Sequence, residues 1–129
     1  MLDSKGQSLI LFVLVLPILL LILILVIDVG RIIVLKQELN NISKITLDYG
    51  LDNLDKDKID DELVDVIKLN NNEIDNIDVY VEDNKIYVEM SEKSDGVFSS
   101  LIDISIFNVK TAYVGYIENN EKRIERMGD

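Results

Sequence analysis

The residues of this chain that could do chemistry are almost all carboxylic acids. Its 129 residues include 24 Asp and Glu against 13 Lys and Arg, with no His and no Cys, and the formal net charge is −11. Thiolate nucleophiles, disulfides, histidine general bases and zinc sites built on Cys or His are therefore excluded. Nucleic-acid binding depends on Lys and Arg that displace counterions from phosphates, so an excess of acids opposes it. We predict no binding of DNA or RNA.

The densest group of carboxylates lies in the middle of the chain and superficially resembles a calcium-binding loop. Its members are Asp52, Asp55, Asp57, Asp60 and Asp61. An EF-hand loop counted from Asp55 would have Ile59 at its fifth position, no glycine at its sixth, and Val66 where a bidentate glutamate belongs. We therefore interpret the group as a solvated surface. Paired carboxylates can do acid–base chemistry, but no pattern brings these to one pocket, so we predict no catalytic activity, no metal site and no cofactor.

An apolar segment near the N-terminus must position this acidic region. Residues 9–27 carry no charge, and Pro17 is the one helix-breaking residue among them. As a helix with a rise of ~1.5 Å per residue, they span roughly 28 Å of hydrocarbon. A secretory signal has a shorter apolar core followed by a small-residue cleavage site, whereas here the polar residues Asp28 and Arg31 follow. We predict a single membrane-spanning helix.

The helical pattern continues beyond the span as an amphipathic stalk. Apolar residues recur there at spacings of three and four, with polar side chains between them: Ile32, Leu35, Leu39, Ile42, Ile45 and Tyr49. This predicts one helix from Ser4 or Lys5 to Tyr49, with Pro17 tolerated inside the membrane. We expect Gly50 to end the helix in a left-handed conformation and residues 51–57 to form a loop.

A small head is predicted after this loop. Residues 59–69 have the apolar spacing of a short helix, with Asp57 or Asp60 as its N-cap. Two alternating runs, residues 77–82 and 85–90, flank two turn-forming residues and indicate a hairpin. Pairing outward from the turn brings apolar side chains together on one face of the hairpin: Val81 with Ile86, Val79 with Val88, and Ile77 with Met90.

The remaining residues complete the predicted sheet. Asp95 is expected to cap a short turn through Val97, Phe98 and Leu101. Residues 104–118 are expected to form one long strand, and residues 121–127 to pair back with it through Asn119 and Asn120. The long element available to cover the apolar face is the stalk. The contacts expected between them are those of Ile32, Leu35, Leu39 and Ile42 with Ile77, Val79, Val81, Ile86 and Val88.

The predicted fold class is therefore α+β. A long N-terminal transmembrane helix continues as an amphipathic stalk, which packs against a small antiparallel sheet of three or four strands. At the junction of span and stalk, Asp28 and Arg31 are three residues apart on the helix and are expected to form a pair at the membrane interface.

Several residues of the N-terminal segment stand at the distances of a known pattern. They are Lys5, Gly6, Phe12, Pro17, Asp28, Gly30 and Arg31. With them, residues 5–50 resemble the TadE-like minor pseudopilins of tight-adherence (Tad) pili. In that family a basic residue and a glycine precede the cut of a prepilin peptidase, a phenylalanine and a proline follow six and eleven places after it, and a Gly-Arg pair marks the exit from the membrane.

The resemblance implies a pilin-like organisation and a non-catalytic role. The peptidase would cut between Gly6 and Gln7, which divides the chain into a leader (1–6), a transmembrane helix with its stalk (7–50) and an acidic α+β head (51–129). The N-terminus would begin in the cytoplasm of a bacterial cell and the head would lie outside its membrane. The implied partners are the membrane, the prepilin peptidase, other pilins or pseudopilins, and the pilus assembly platform.

The chain departs from the family pattern at Leu11. A glutamate is expected five places after the cut, where it is the usual partner for the new amino terminus of a neighbouring subunit. A buried charge is costly without such a partner, and Leu11 removes both the cost and the signal. This favours an accessory subunit over a major pilin. The alternative function is a single-pass, membrane-anchored binding or regulatory protein outside the membrane that is not built into a filament.

Overall fold

A single helix of 49 residues dominates the molecule. The computed structural model describes residues 4–94, 96–97 and 107–127, and in it helix α1 (Ser4–Asp52) continues without a break through Pro17. The expected start of the helix at Ser4 or Lys5 is confirmed, and its end lies three residues beyond the expected Tyr49. The predictions for residues 1–3, for Asp95, and for the turn and strand start between residues 98 and 106 lie outside the described residues.

The remaining elements form the head, in the order helix, hairpin, hairpin. Helix α2 (Ile59–Asn70) is followed by strands β1 (Asn76–Glu82), β2 (Lys85–Ser94), β3 (Phe107–Glu118) and β4 (Glu121–Arg126). In the described part of the chain the strands form one antiparallel sheet in the order β1-β2-β3-β4. The predicted α+β class and the number of strands are thus confirmed.

The register of the first hairpin agrees with the prediction at every pair. Val81 is opposite Ile86, Val79 is opposite Val88, and Ile77 is opposite Met90. The turn residues Asp83 and Asn84 have φ of 52° and 62°, as a two-residue turn of type I′ requires. A second turn of the same kind joins β3 to β4, with φ of 53° and 64° at Asn119 and Asn120, so the predicted C-terminal pairing is confirmed.

The second half of α1, residues 28–52, is called its upper half, and residues 4–27 are its lower half. The core lies between this upper half, helix α2 and the inner face of the sheet. α1 crosses β2 and β3, and α2 lies against α1 and β1. Among the described residues, twelve buried hydrophobic residues form one cluster: Leu39, Ile42, Leu47, Leu51, Ile59, Leu63, Ile67, Ile86, Val88, Met90, Val109 and Tyr113. Ile32, Leu35, Ile77 and Val79 pack against it and are partly buried. The expected contacts of the stalk with the strand that carries Ile86 and Val88 are therefore present, whereas Ile77 and Val79 lie on β1, which packs against α2.

The prediction that Val81 belongs to the core is wrong. Val81 is 40% exposed, although it belongs to the inner, apolar side of the hairpin. It lies next to the turn on the edge strand β1, which α2 covers and α1 does not reach. The stalk alone was expected to cover the sheet, whereas α2 supplies three buried residues of the core, Ile59, Leu63 and Ile67.

The expected helix caps are also wrong. Gly50 does not have a positive φ and lies inside α1, which ends at Asp52. A Cβ at Gly50 would be 2.8 Å from Ile86 Cδ1 and 2.9 Å from Leu63 Cδ1, so the glycine allows a close approach between α1, β2 and α2. The N-cap of α2 is Lys58, in a left-handed conformation and without a side-chain capping bond, rather than Asp57 or Asp60.

Candidate functional site

The lower half of α1 exposes apolar side chains in every direction. Between Leu9 and Ile27 the exposed fraction of the large hydrophobic side chains reaches 65%, and the most apolar window of the helix has no buried residues. A helix that is apolar all round needs an apolar surrounding, because hydrocarbon surface in water is unfavourable. The length and composition of α1 are those of a transmembrane helix. The exposed apolar helix thus agrees with the predicted membrane-spanning segment.

The residues of the expected processing site lie at the beginning of this helix. Gly6 and Gln7 are in the first turn of α1, with Gln7 exposed and Gly6 half-buried. Leu11 and Phe12 follow on the next turn and are 63% and 60% exposed. The side chain at position 11 therefore points out of the molecule toward whatever surrounds the span, where a carboxylate would meet lipid or a neighbouring subunit.

The junction between span and stalk contains a buried carboxylate. Asp28 directly follows the apolar run, yet it is only 1% exposed. Its Oδ1 accepts a hydrogen bond from the backbone N–H of Val97, 2.7 Å away, and so joins the helix to the residues that follow β2. A Cβ on Gly96 would lie only 2.5–2.7 Å from the carboxyl atoms of Asp28. The backbone at Gly96 thus packs directly on this carboxyl group.

The Gly-Arg pair of the family pattern begins two residues after Asp28 on the helix, and Gly30 is the member that lies on the opposite side. Two residues along an α-helix rotate the side-chain direction by about 200°, so Gly30 faces away from Asp28 and the sheet. It is exposed, and apart from the neighbouring backbone of the helix itself, none of the described atoms would lie within 4 Å of a Cβ at this position. Arg31 is also exposed. The ion pairs between described residues do not include Arg31 with Asp28, whose carboxylate is instead turned toward Gly96 and Val97.

A second buried carboxylate lies in the head and was missed by the sequence analysis. Glu92 is 8% exposed, and its Oε2 has no hydrogen-bond partner among the described residues. Burial raises the pKa of Glu92 above its usual value, and the charges of Glu38 and Glu73 raise it further. The alternation of β2 contains the signal, since Glu92 continues the inward-facing series of Ile86, Val88 and Met90.

The acidic group in the middle of the chain lies at the end of the molecule farthest from the span. Its five aspartates are exposed and lie around the connection between α1 and α2. Asp52 of this group and the nearby Asp48, both on α1, form ion pairs across the head with Lys122 of β4, at 2.7 and 3.0 Å. In the described part of the chain, no group of three or more carboxylates is arranged to hold a metal ion.

A comparison with known proteins adds one family to this geometry. Residues 6–43 match the family model described as TadE-like protein. No curated protein and no solved structure shows significant similarity to the chain. The matched region contains the span, the buried Asp28 and the first turns of the stalk, and it connects the chain with Tad pili. The resemblance predicted from Gly6, Phe12, Pro17, Gly30 and Arg31 is therefore confirmed: over residues 6–43 this chain is similar to the TadE-like family.

Proposed function

We propose that this protein is a minor pseudopilin, a non-catalytic structural or priming component of a Tad-type pilus or a related secretion filament. The observation that carries the proposal is the continuity of α1. One unbroken helix contains the family residues from Gly6 to Arg31, exposes apolar side chains along its span, and then becomes part of the core of a small acidic head. Such a molecule offers its neighbours a membrane helix and displays a head outside the membrane.

The proposed orientation follows the family pattern. The short N-terminus begins in the cytoplasm of a bacterial cell, where a prepilin peptidase cuts between Gly6 and Gln7, and the head lies on the outer side of the membrane. Both residues lie in the first turn of α1, where helices fray most easily, so the peptidase needs to unwind only the helix end to reach the bond. The other proposed partners are pilins or pseudopilins and the assembly platform.

Intact mass spectrometry of the protein purified from membranes tests the processing. In cells with an active prepilin peptidase, we expect a mature chain that begins at Gln7. Gly6→Leu should leave the chain uncut, whereas the matched change at the other family glycine, Gly30→Leu, should not affect cleavage. Recovery of only full-length chains from such cells would contradict the pseudopilin assignment and favour the plain membrane anchor.

We further propose that Leu11 marks an accessory rather than a bulk subunit. Apolar helices gain little from one another in a lipid-like surrounding, because lipid tails are as apolar as leucine. A charge pair at the beginning of the helix would give direction and register to incorporation. The 63% exposure of Leu11 supports this proposal, since the position is available to a neighbour but offers it no charge. Contacts between heads and van der Waals packing of helices then suit a tip, primer or platform subunit present in few copies.

Quantification of the protein in sheared filaments tests the role of Leu11. Leu11→Glu should increase incorporation of the protein into filaments if charge pairing is the missing signal. Leu11→Gln should not, because glutamine has the size of glutamate but no charge. Incorporation of the unmodified protein at a level comparable to the major pilin would refute the accessory role. If the protein is processed but remains in the membrane fraction in all three forms, the function as a membrane-anchored binding or regulatory protein is favoured.

A further inference from the structure

We propose that Asp28 is a latch, a residue that holds the end of β2 against α1 at the point where the helix leaves the membrane. The apolar run ends at Ile27, so Asp28 is the first residue of the helix that can be charged after the span. A free carboxylate on an exit helix would be expected in water. Here it is 1% exposed, and the backbone of residues 96 and 97 covers it.

The contact is specific to the residue types that form it. A carboxyl group withdrawn from water is costly unless hydrogen-bond donors reach it, and the N–H of Val97 reaches Asp28 Oδ1 at 2.7 Å. The residue before Val97 must come close enough for this bond to form. Any side chain at Gly96 would begin 2.5–2.7 Å from the carboxyl atoms, a distance at which atoms overlap, so this approach requires glycine.

The latch is a second point of attachment between head and helix. The fully buried apolar contacts of α1 with the sheet begin at Leu39, eleven residues after Asp28 and roughly 16 Å farther along the helix axis. Ile32 and Leu35 between these two points are only partly buried. Among the described residues, another link in this interval is the hydrogen bond that Lys36 Nζ donates to the backbone carbonyl of Lys110 on β3, so the bond at Asp28 is the attachment closest to the span.

This arrangement has a consequence for the orientation of the head. Two attachments separated along a rigid helix prevent the head from tilting away from it, and the lower attachment lies at the membrane boundary. The head is therefore held beside the membrane surface as one body with the exit helix. The face of the helix that carries Gly30 stays open, because the latch and the sheet occupy the opposite face.

Hydrogen–deuterium exchange of the full-length chain in phospholipid nanodiscs tests the latch. In the wild type we expect slow exchange at the Val97 amide. Asp28→Ala should raise its exchange rate at least tenfold while the central amides of β2 and β3 change by less than twofold. Asp28→Asn, which keeps an acceptor oxygen, should give an intermediate rate. The exposed Asp65, on α2, supplies the matched control, since Asp65→Ala should change neither region.

A second variant, Gly96→Ala, changes the other partner of the contact between Asp28 and residues 96–97. Gly96→Ala should accelerate exchange at Val97 about as much as Asp28→Ala, because the new Cβ forces the carboxyl group and the backbone apart. In the Asp28→Ala background the clash is relieved, so adding Gly96→Ala should have little further effect. This lack of additivity is the signature of one shared contact.

Two results would overturn the proposal. One is unchanged exchange at Val97 in Asp28→Ala. The other is acceleration of similar size throughout β2 and β3, which would make Asp28 a general determinant of stability. Should Asp28→Ala fail to fold, the same comparison of Val97 with the central strands in Asp28→Asn decides the question. The measurement needs no pilus component, so its failure would leave the proposed pseudopilin function untouched.

Discussion

Both halves of α1 are rich in leucine and isoleucine, yet the head covers these residues in one half and leaves them exposed in the other. Leu39 and Leu47 in the upper half are fully buried, whereas Leu19 and Leu23 in the lower half are 56% and 55% exposed. The difference lies in the pattern. The lower half is apolar on every side, and the upper half places apolar residues at spacings of three and four with polar residues between them.

This contrast shows that one helix is built for two surroundings. The upper half gains its stability from the sheet and α2, whereas the lower half must be covered by lipid or by other subunits. The change occurs between Ile27, which is 44% exposed, and Asp28, which the head covers. The first two predictions below compare equal substitutions in regions of α1 that the head covers and regions that it leaves bare.

The largest expected effect comes from equal truncations in the two halves. Leu47→Ala removes a side chain with no exposed surface and should destabilise the head by ~2–5 kcal/mol, the usual cost of a core Leu→Ala change. Leu19→Ala should leave the stability of the head nearly unchanged, since Leu19 is 56% exposed in the described structure. Urea denaturation of the full chain in detergent micelles measures both. Equal losses would mean that the head also depends on the span.

A smaller pair of effects with opposite signs is expected at two glycines of α1. Gly50→Ala places a Cβ 2.8 Å from Ile86 Cδ1 and should cost ~1–3 kcal/mol through overpacking. Gly30→Ala meets no described atom outside the neighbouring backbone of its own helix and should stabilise the helix by ~0.5–1 kcal/mol, the propensity difference between alanine and glycine. The same denaturation assay checks both. A loss of stability at Gly30 would show that this face is covered in the micelle.

The elements of the fold could be predicted because local patterns determine them. Two pairs of turn residues with a strong preference for positive φ set the registers of both hairpins, and unbroken apolarity over residues 9–27 indicates the span. The roles of Gly50, Asp28 and Val81 depend on which elements meet in space. A glycine near the end of a helix favours a C-cap, and only the nearness of Ile86 and Leu63 reveals a close approach instead.

The candidate site was predictable only where it follows the family pattern. The spacing of Gly6, Phe12 and Pro17 is visible in the sequence, but the contact between Asp28 and Val97 joins residues 69 positions apart. No local spacing encodes such a contact. Glu92 is an intermediate case, because its position on the inner side of β2 could be read from the alternation of that strand.

The next effect concerns a charge within the covered region. The raised pKa of Glu92 means that the folded state binds its proton more tightly than the unfolded state does. This contribution to stability is fully present below the usual pKa of glutamate and is lost as the pH rises through the higher pKa of the folded state. Glu92→Gln should therefore flatten the pH dependence and stabilise the head at pH 7, on the order of 1 kcal/mol, because it removes a buried charge that lacks a full set of partners.

Denaturation of wild type and variant at several pH values measures this difference. Glu89→Gln is the matched control, since Glu89 is exposed on the opposite face of the same strand. Its curve should follow that of the wild type. A Glu92→Gln variant that is less stable at pH 7 would show that the carboxylate is ionised and well satisfied in the folded head.

The smallest change in stability is expected at the exposed ion pairs that join the head to the end of the stalk farthest from the span. Lys122 contacts Asp52 at 2.7 Å and Asp48 at 3.0 Å, and hydrogen bonds to these two aspartates raise the pKa of Lys122. Its contribution to stability is therefore present below the usual lysine pKa and disappears as the pH rises through the raised value.

Lys122→Met keeps the apolar stem and removes the charge, so we expect only a slight loss of stability, because water and salt screen exposed ion pairs. Raising the salt concentration should abolish the difference between variant and wild type. Arg123→Met is the control, since Arg123 pairs with Glu121 of the same strand and does not connect head and stalk. A large loss in Lys122→Met that persists in high salt would mean that this contact, rather than the apolar core, holds the sheet on the upper half of α1.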